Sequence, residues 1–194
     1  MSFPSLHLVL PAWVEDACRP PDHDFSTTEA RMQFVIELAR RNVEAGTGGP
    51  FAAAVFDLDQ HRLIAPGVNL VTSQRCSVAH AEIVAISLAQ QQQGHYDLGH
   101  QGQPICELVS STEPCAMCLG AIPWSGVRAL VCGARGDDAC AIGMDEGAKP
   151  SAWVAELEQR GIRVTRDVCR AVAVEVLQDY KRAGGTIYNA RQGV

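Results

Sequence analysis

The chain is predicted to be an α/β domain, a three-layer α/β/α sandwich with a central mixed sheet. Short apolar runs suited to buried strands alternate with segments whose apolar residues recur at helical spacing, and this alternation continues almost to the end of the chain. The chain has 194 residues, enough for one domain with short appendages.

Residues 1–25, with Pro4, Pro11, Pro20 and Pro21, read as an irregular N-terminal extension. Ser26 and Glu29 have capping-box spacing and open a helix to about Glu44, with Met32, Val35, Ile36 and Ala39 as its stripe. The run Gly46–Pro50 ends it. Phe51–Asp57 reads as a buried strand and Arg62–Gly67 as its hairpin partner. A loop over Asn69–Ser77 leads to a helix over about Ala79–Gln93. Then follow a strand at Ile105–Ser110, a short helix at Cys115–Ile122 and a strand at Val127–Gly133. Ala134–Pro150 reads as a Gly/Asp-rich loop. A helix (Ser151–Arg160), a strand (Ile162–Thr165) and a last helix (Val168–Arg182) complete the domain, 26–182; residues 183–194 form a patternless tail.

Apolar residues make up 47 % and charged residues 20 %, which excludes wholesale disorder. Apolar runs such as Phe51–Phe56 are too short to span a membrane. Met1–Leu10 lacks a basic region and a small-residue cleavage site, so it is not read as a signal peptide. A net charge of −6 argues against a nucleic-acid partner. There are eight cysteines, and only Cys115 and Cys118 lie close together. This usage points to reduced cytoplasmic thiols, two of them on a metal, rather than to a disulfide framework.

Two segments carry the chemistry: His80-Ala81-Glu82 at a helix start, and Pro114-Cys115-Ala116-Met117-Cys118 between a strand and a helix. Alone, a histidine at a helix start reads as a cap or packed side chain, and a CxxC as a redox pair. Together they are more specific. Cys115 and Cys118 share one face of a helical turn, at the positive end of the helix, where thiolates are favoured. His80 and Glu82 diverge on a helix side and converge on a site only if the helix points its N-terminus at it. Both N-termini then meet around Zn²⁺ held by His80, Cys115 and Cys118. Three protein ligands leave a fourth position for water, the pattern of a catalytic zinc. Glu82, left out of the ligand set, is placed to accept that water's proton.

The pattern H-x-E…P-C-x-x-C is that of zinc nucleobase deaminases. Over residues 26–182 the chain resembles the cytidine deaminase-like superfamily. Its run Glu113-Pro114-Cys115-Ala116-Met117-Cys118-Leu119-Gly120-Ala121-Ile122-Pro123-Trp124 is most similar to the bacterial guanine deaminase branch, although Pro123 stands where that branch has Tyr and Thr112 where it often has Cys. The resemblance implies hydrolytic replacement of an exocyclic amine by a carbonyl, guanine going to xanthine and ammonia, with Glu82 shuttling protons. It implies that Asn69 meets the purine edge and that an acidic side chain of the Gly143-Met144-Asp145-Glu146 run contacts substrate. Glu146 is the first choice for that role and Asp145 its rival. Phe51 and Trp124 are candidates to stack on the base, the Ala81 N–H to donate to it, and Tyr188 to close the site.

The expected partners are a purine base and a second copy of the chain, with no nucleic acid and no membrane. Cytosine or cytidine, and adenosine in tRNA, stay open as other substrates. A non-catalytic structural zinc, its fourth ligand drawn from Cys76 or Cys106, stays open as a different class, and so does a metal-free CxxC redox pair. Cys76, Cys106, Cys132, Cys140 and Cys169 otherwise read as buried free thiols.

Overall fold

The computed structural model describes residues 3, 5–19 and 23–190. Helix α1 (Ala12–Cys18) precedes α2 (Thr28–Glu44), β1 (Ala52–Asp57), β2 (Arg62–Val68), α3 (Ala81–Gln93) and β3 (Cys106–Thr112). Then come α4 (Ala116–Ser125), β4 (Ala129–Ala134), α5 (Gly136–Ile142), α6 (Trp153–Gln159), β5 (Arg163–Thr165) and α7 (Arg170–Arg182). The five strands form one sheet in the order β2-β1-β3-β4-β5. β1 is antiparallel to both β2 and β3, whereas β3, β4 and β5 run parallel, so the sheet is mixed as expected.

Strand alternation sorts the core into two layers. Ala52, Ala54 and Phe56 of β1 pack with Val109 and Val131 against α2, α5 and α7. Ala53 and Val55 pack with Leu108 and Leu130 against α3, α4 and α6. All six residues of β1 are buried, as a strand covered by helices on both faces requires.

Two helices fall where an irregular chain was expected. In the extension, α1 follows its N-cap Pro11 and buries only Val14, a signal too short to show as a stripe. In the Gly/Asp-rich segment, α5 is held by its caps. Asp138 Oδ2 accepts the Arg135 N–H at 2.8 Å, and Gly143 closes the helix in the left-handed conformation. The start of α2 also differs: its N-cap is Thr27, which accepts the Ala30 N–H at 3.1 Å, one residue after the expected Ser26.

A buried ion pair ties α2 to the sheet. Arg31 Nε lies 2.8 Å from Glu107 Oε1, while its other nitrogens donate to Phe25 O and Thr28 Oγ1. Removing one member strands the other charge. Arg31→Met is expected to lower stability by about 3–5 kcal/mol, read by denaturant unfolding. A loss below about 1 kcal/mol would mean that Glu107 finds water or another partner.

Candidate active site

The carboxyl ends of β3 and β4 lie where the sheet changes from antiparallel to parallel, a common place for a crevice in α/β folds. Two helices begin beside them. His80 is the N-cap of α3 and Cys115 the N-cap of α4; both backbones are extended, and neither side chain caps its own helix. The side chains meet instead, Cys115 Sγ lying 3.5 Å from His80 Nδ1. Cys118, one turn into α4, completes a group whose ligand atoms all lie within 4.8 Å of one another. Ligands around a tetrahedral zinc stand roughly 3.5–3.8 Å apart, given bonds of about 2.0–2.3 Å. The donor set therefore fits Zn²⁺ with little movement. Neither Cys76 nor Cys106 belongs to the group, which has three protein ligands.

The electrostatics favour a dication. The Cys118 thiol hydrogen-bonds to Cys115 and, against the cost of burial and with help from His80, pulls the Cys115 pKa down to about 4. The same bond, with burial and the Glu82 charge, pushes Cys118 up. Burial works against a charged His80, but Cys115 and Glu82 outweigh it and raise its pKa. Glu82 is raised by burial and then by the Cys115 charge. Its carboxylate accepts from Ser110 Oγ and from Cys118 Sγ, each at 3.4 Å, beside the ligand set but outside it.

Glu113, just before Pro114, locks this turn to its surroundings. Its Oε1 accepts from Arg166 Nε at 2.6 Å, and its Oε2 from the Gly136 N–H at 3.1 Å and Lys149 Nζ at 3.3 Å. Lys149 also donates to Pro114 O at 3.3 Å. The acidic loop docks on α4 directly, since the Ala116 N–H in its first turn donates to Glu146 O at 2.9 Å. That bond satisfies a helix-end donor that would otherwise lack a partner.

A cavity of about 360 Å³ opens on the group, lined among others by Phe51, Asn69, His80, Glu82, Thr112, Asp145, Glu146 and Tyr188. Among the described residues, the buried side-chain polar atoms without a hydrogen-bond partner are Thr112 Oγ1, Glu146 Oε2 and Tyr188 OH, and all three residues line this cavity. Native interiors rarely leave such atoms unpaired, so their convergence marks a place for a polar ligand.

Of the expected site residues, His80, Glu82, Cys115, Asn69, Phe51, Asp145 and Glu146 line the cavity, and Cys118 joins them through the ligand group. Asp145 and Glu146 differ in what their carboxylates do. Asp145 Oδ1 accepts the Gly147 N–H at 2.9 Å and shapes the loop, whereas Glu146 Oε2 is free. Burial, then the charges of Cys115 and Glu82, pushes the Glu146 carboxyl up to about 8. Ala81 sits in the first turn of α3, where its N–H has no intrahelical acceptor, but its side chain is buried in the core rather than on the cavity wall.

Trp124 does not join the site. It is 85 % exposed and borders a separate hollow with Pro123 and Trp153. It lies about two and a half turns beyond Cys115, so the helical period turns it to the opposite side of α4. Residues that sequence reasoning missed are Thr112, hidden in a wholly buried strand, and Asn189. The latter accepts the Asp145 N–H and donates to Gly143 O, each at 2.9 Å, pinning the tail to the acidic loop. No local pattern marks either. Tyr188 reaches the cavity from the same tail, its hydroxyl against Gly49; a Cβ there would come within 2.6 Å of it.

The sequence profile of the cytidine and deoxycytidylate deaminase zinc-binding region matches residues 25–134. The guanine deaminase of Bacillus subtilis (strain 168) is 39 % identical over 118 residues, covering 61 % of this chain and 71 % of that protein. The solved structure of guanine deaminase from Nitrosomonas europaea superposes with a TM-score of 0.87 at 51 % identity, over 92 % of this chain and 97 % of that one. The structure of NE0047 in complex with 2,6-diaminopurine superposes at 0.89 with 52 % identity, over 97 % and 98 %.

Cys115→Ala is expected to remove stoichiometric zinc, measured by elemental analysis, while the unaltered protein carries one ion per chain. Affinity should fall on acidification, because the thiols and the imidazole must lose protons to bind. A full equivalent of zinc in Cys115→Ala would point to a different ligand set.

Proposed function

The chain belongs to the cytidine and deoxycytidylate deaminase zinc-binding family, and on that premise we propose that it is a zinc-dependent hydrolase converting guanine to xanthine and ammonia. The observation that carries the reading is the carboxylate of Glu82 beside the His80/Cys115/Cys118 group, on a cavity lined by three residues with unpartnered buried polar atoms. Zinc, when bound there, supplies the Lewis acid that makes water acidic enough to lose a proton near neutral pH.

The protein's own groups do the rest. Glu82 takes the proton of the attacking water and delivers it to the ring nitrogen next to C2. It then takes the remaining proton of the added hydroxyl and passes it to the amine, so that the C2–N bond breaks, ammonia leaves and C2 keeps a carbonyl oxygen. Its burial, which raises its affinity for a proton, suits both halves of that task. Asn69 holds the purine edge with an amide that both donates and accepts. Val71 N–H donates to its Oδ1 at 3.3 Å, and its NH2 group makes no hydrogen bond among the described residues. Phe51 packs on the base. Glu146, rather than Asp145, binds the N–H groups near the departing amine; its free, buried oxygen supports this choice.

Tyr188 covers the base from the tail 183–194, beyond a catalytic domain of residues 26–182 and an extension of residues 1–25. Trp124 and Met117, exposed on α4, make the apolar surface on which a second copy of the chain pairs. The net charge of −6 and the acidic loop argue for a free base over a nucleic acid. All eight cysteines are free, although Cys140 is exposed and Cys76 and Cys169 are half-buried where burial was expected; free thiols support a reducing cytoplasm, and the proposed reaction places the protein in purine catabolism. No helix among the described residues is long and apolar enough to cross a membrane.

Glu82→Gln is expected to keep its zinc and lose about 10²–10⁴-fold in kcat for ammonia release from guanine. Near-normal turnover in that variant would refute the role of Glu82. In a panel of guanine, cytosine, cytidine, adenine and tRNA, guanine should release ammonia fastest and tRNA should be inert. Faster release from another member of the panel would reassign the substrate.

A further inference from the structure

One fully buried polar side chain has no part in the chemistry above. Asn42, near the end of α2, is 0 % exposed, and its amide is almost fully used. Nδ2 donates to Gly49 O at 2.9 Å and to Asn69 O at 3.0 Å, while Oδ1 accepts from Thr47 Oγ1 at 2.7 Å. The two carbonyls belong to the two chain segments that bring Phe51 and Asn69 to the cavity. The Asn69 N–H in turn donates to Phe51 O at 2.9 Å, so the backbone of Asn69 is held on both sides. Packing leaves no slack: a Cβ on Gly48 would lie 1.8 Å from Asn69 O, and one on Gly49 would reach the Tyr188 hydroxyl.

The relay continues outward with a fixed sense. Trp13 Nε1 of α1 lies 3.1 Å from Thr47 Oγ1, and an indole N–H can only donate. The Thr47 hydroxyl thus accepts from the indole and keeps its own proton to give, to Asn42 Oδ1 at 2.7 Å in preference to the backbone Asn42 O at 3.3 Å. That fixes which end of the amide is oxygen and turns its NH2 group to the two carbonyls. Arg41 lies over the Trp13 ring, 5.2 Å from its centroid, and helps hold the indole in place.

We propose that Asn42 is a positioning residue for the Asn69 wall of the substrate cavity, oriented through Thr47 by Trp13 of the N-terminal helix. The proposal rests on the reading that Asn69 contacts the purine edge, and it gives α1 a task in substrate binding. A hydrogen bond contributes roughly 0.5–1.5 kcal/mol, so loss of one link should raise KM by about two- to tenfold. The chemistry at the metal should be little affected, since no relay member lies among the ligands.

The test measures kcat, KM for guanine and zinc content in Thr47→Val, Thr47→Ser, Trp13→Phe and Asn42→Asp, with Asn69→Ala alongside. Thr47→Val keeps the shape and removes the hydroxyl; Thr47→Ser restores it; Trp13→Phe keeps a ring and removes the N–H. Expected are a raised KM with kcat within about twofold and full zinc in Thr47→Val and Trp13→Phe, and recovery of KM in Thr47→Ser. Asn42→Asp, which sets a carboxylate against two carbonyls, should show the largest rise in KM or fail to fold; the Thr47 pair decides the matter in either case. If Asn69→Ala raises KM while Thr47→Val and Trp13→Phe match the unaltered protein, the relay alone is overturned. An unchanged KM in Asn69→Ala overturns the assignment of Asn69 and the relay with it. A parallel loss of kcat and zinc across the Thr47 variants, serine included, marks a scaffold role and also overturns the proposal.

Discussion

The site depends on two helices starting at one point. An N-cap residue keeps its side chain outside the helix proper, and here the two N-caps are a histidine and a cysteine whose side chains do no capping. Each is thus free to act as a ligand, held in place by a rigid helix. The helix ends contribute partial positive charge to thiolates that burial would otherwise penalise. Everything chemical in the cavity follows from that placement: the second cysteine arrives one turn on, and the glutamate two residues beyond the histidine arrives beside the group rather than in it.

Around this centre the protein keeps two kinds of buried polar group. Those that build the site are satisfied, such as Glu113, with Arg166, Lys149 and the Gly136 N–H on its two oxygens. Three others on the cavity wall have an atom left open: Thr112 Oγ1, Glu146 Oε2 and Tyr188 OH. Unpaired buried groups have a free-energy cost that a complementary ligand removes. This division separates scaffold from recognition surface more sharply than residue type does, because glutamates appear on both sides of it.

The sheet, its buried strands and the metal ligands were legible in the sequence, because alternation and one-turn spacing are local properties. What was not legible depended on partners distant in the chain. Helix α1 is anchored by one buried valine in a proline-bearing stretch, and α5 starts with glycine and two aspartates, one of them bonded to Arg170 far along the chain. Trp124 was expected at the base from its place in a motif, yet the helical period carries it to the other side of α4. Asn42 sits in a stretch that reads as plain amphipathic helix, and only the return of the chain at Gly49 and Asn69 gives its amide a purpose.

The bond from the Ala116 N–H to the Glu146 carbonyl joins the metal-binding turn to the loop that carries the substrate-side carboxylate. Order in one is thereby order in the other. The residues that would hold the ion and the loop that faces the base are thus built as one piece, so a substitution that displaces either reaches recognition and chemistry together.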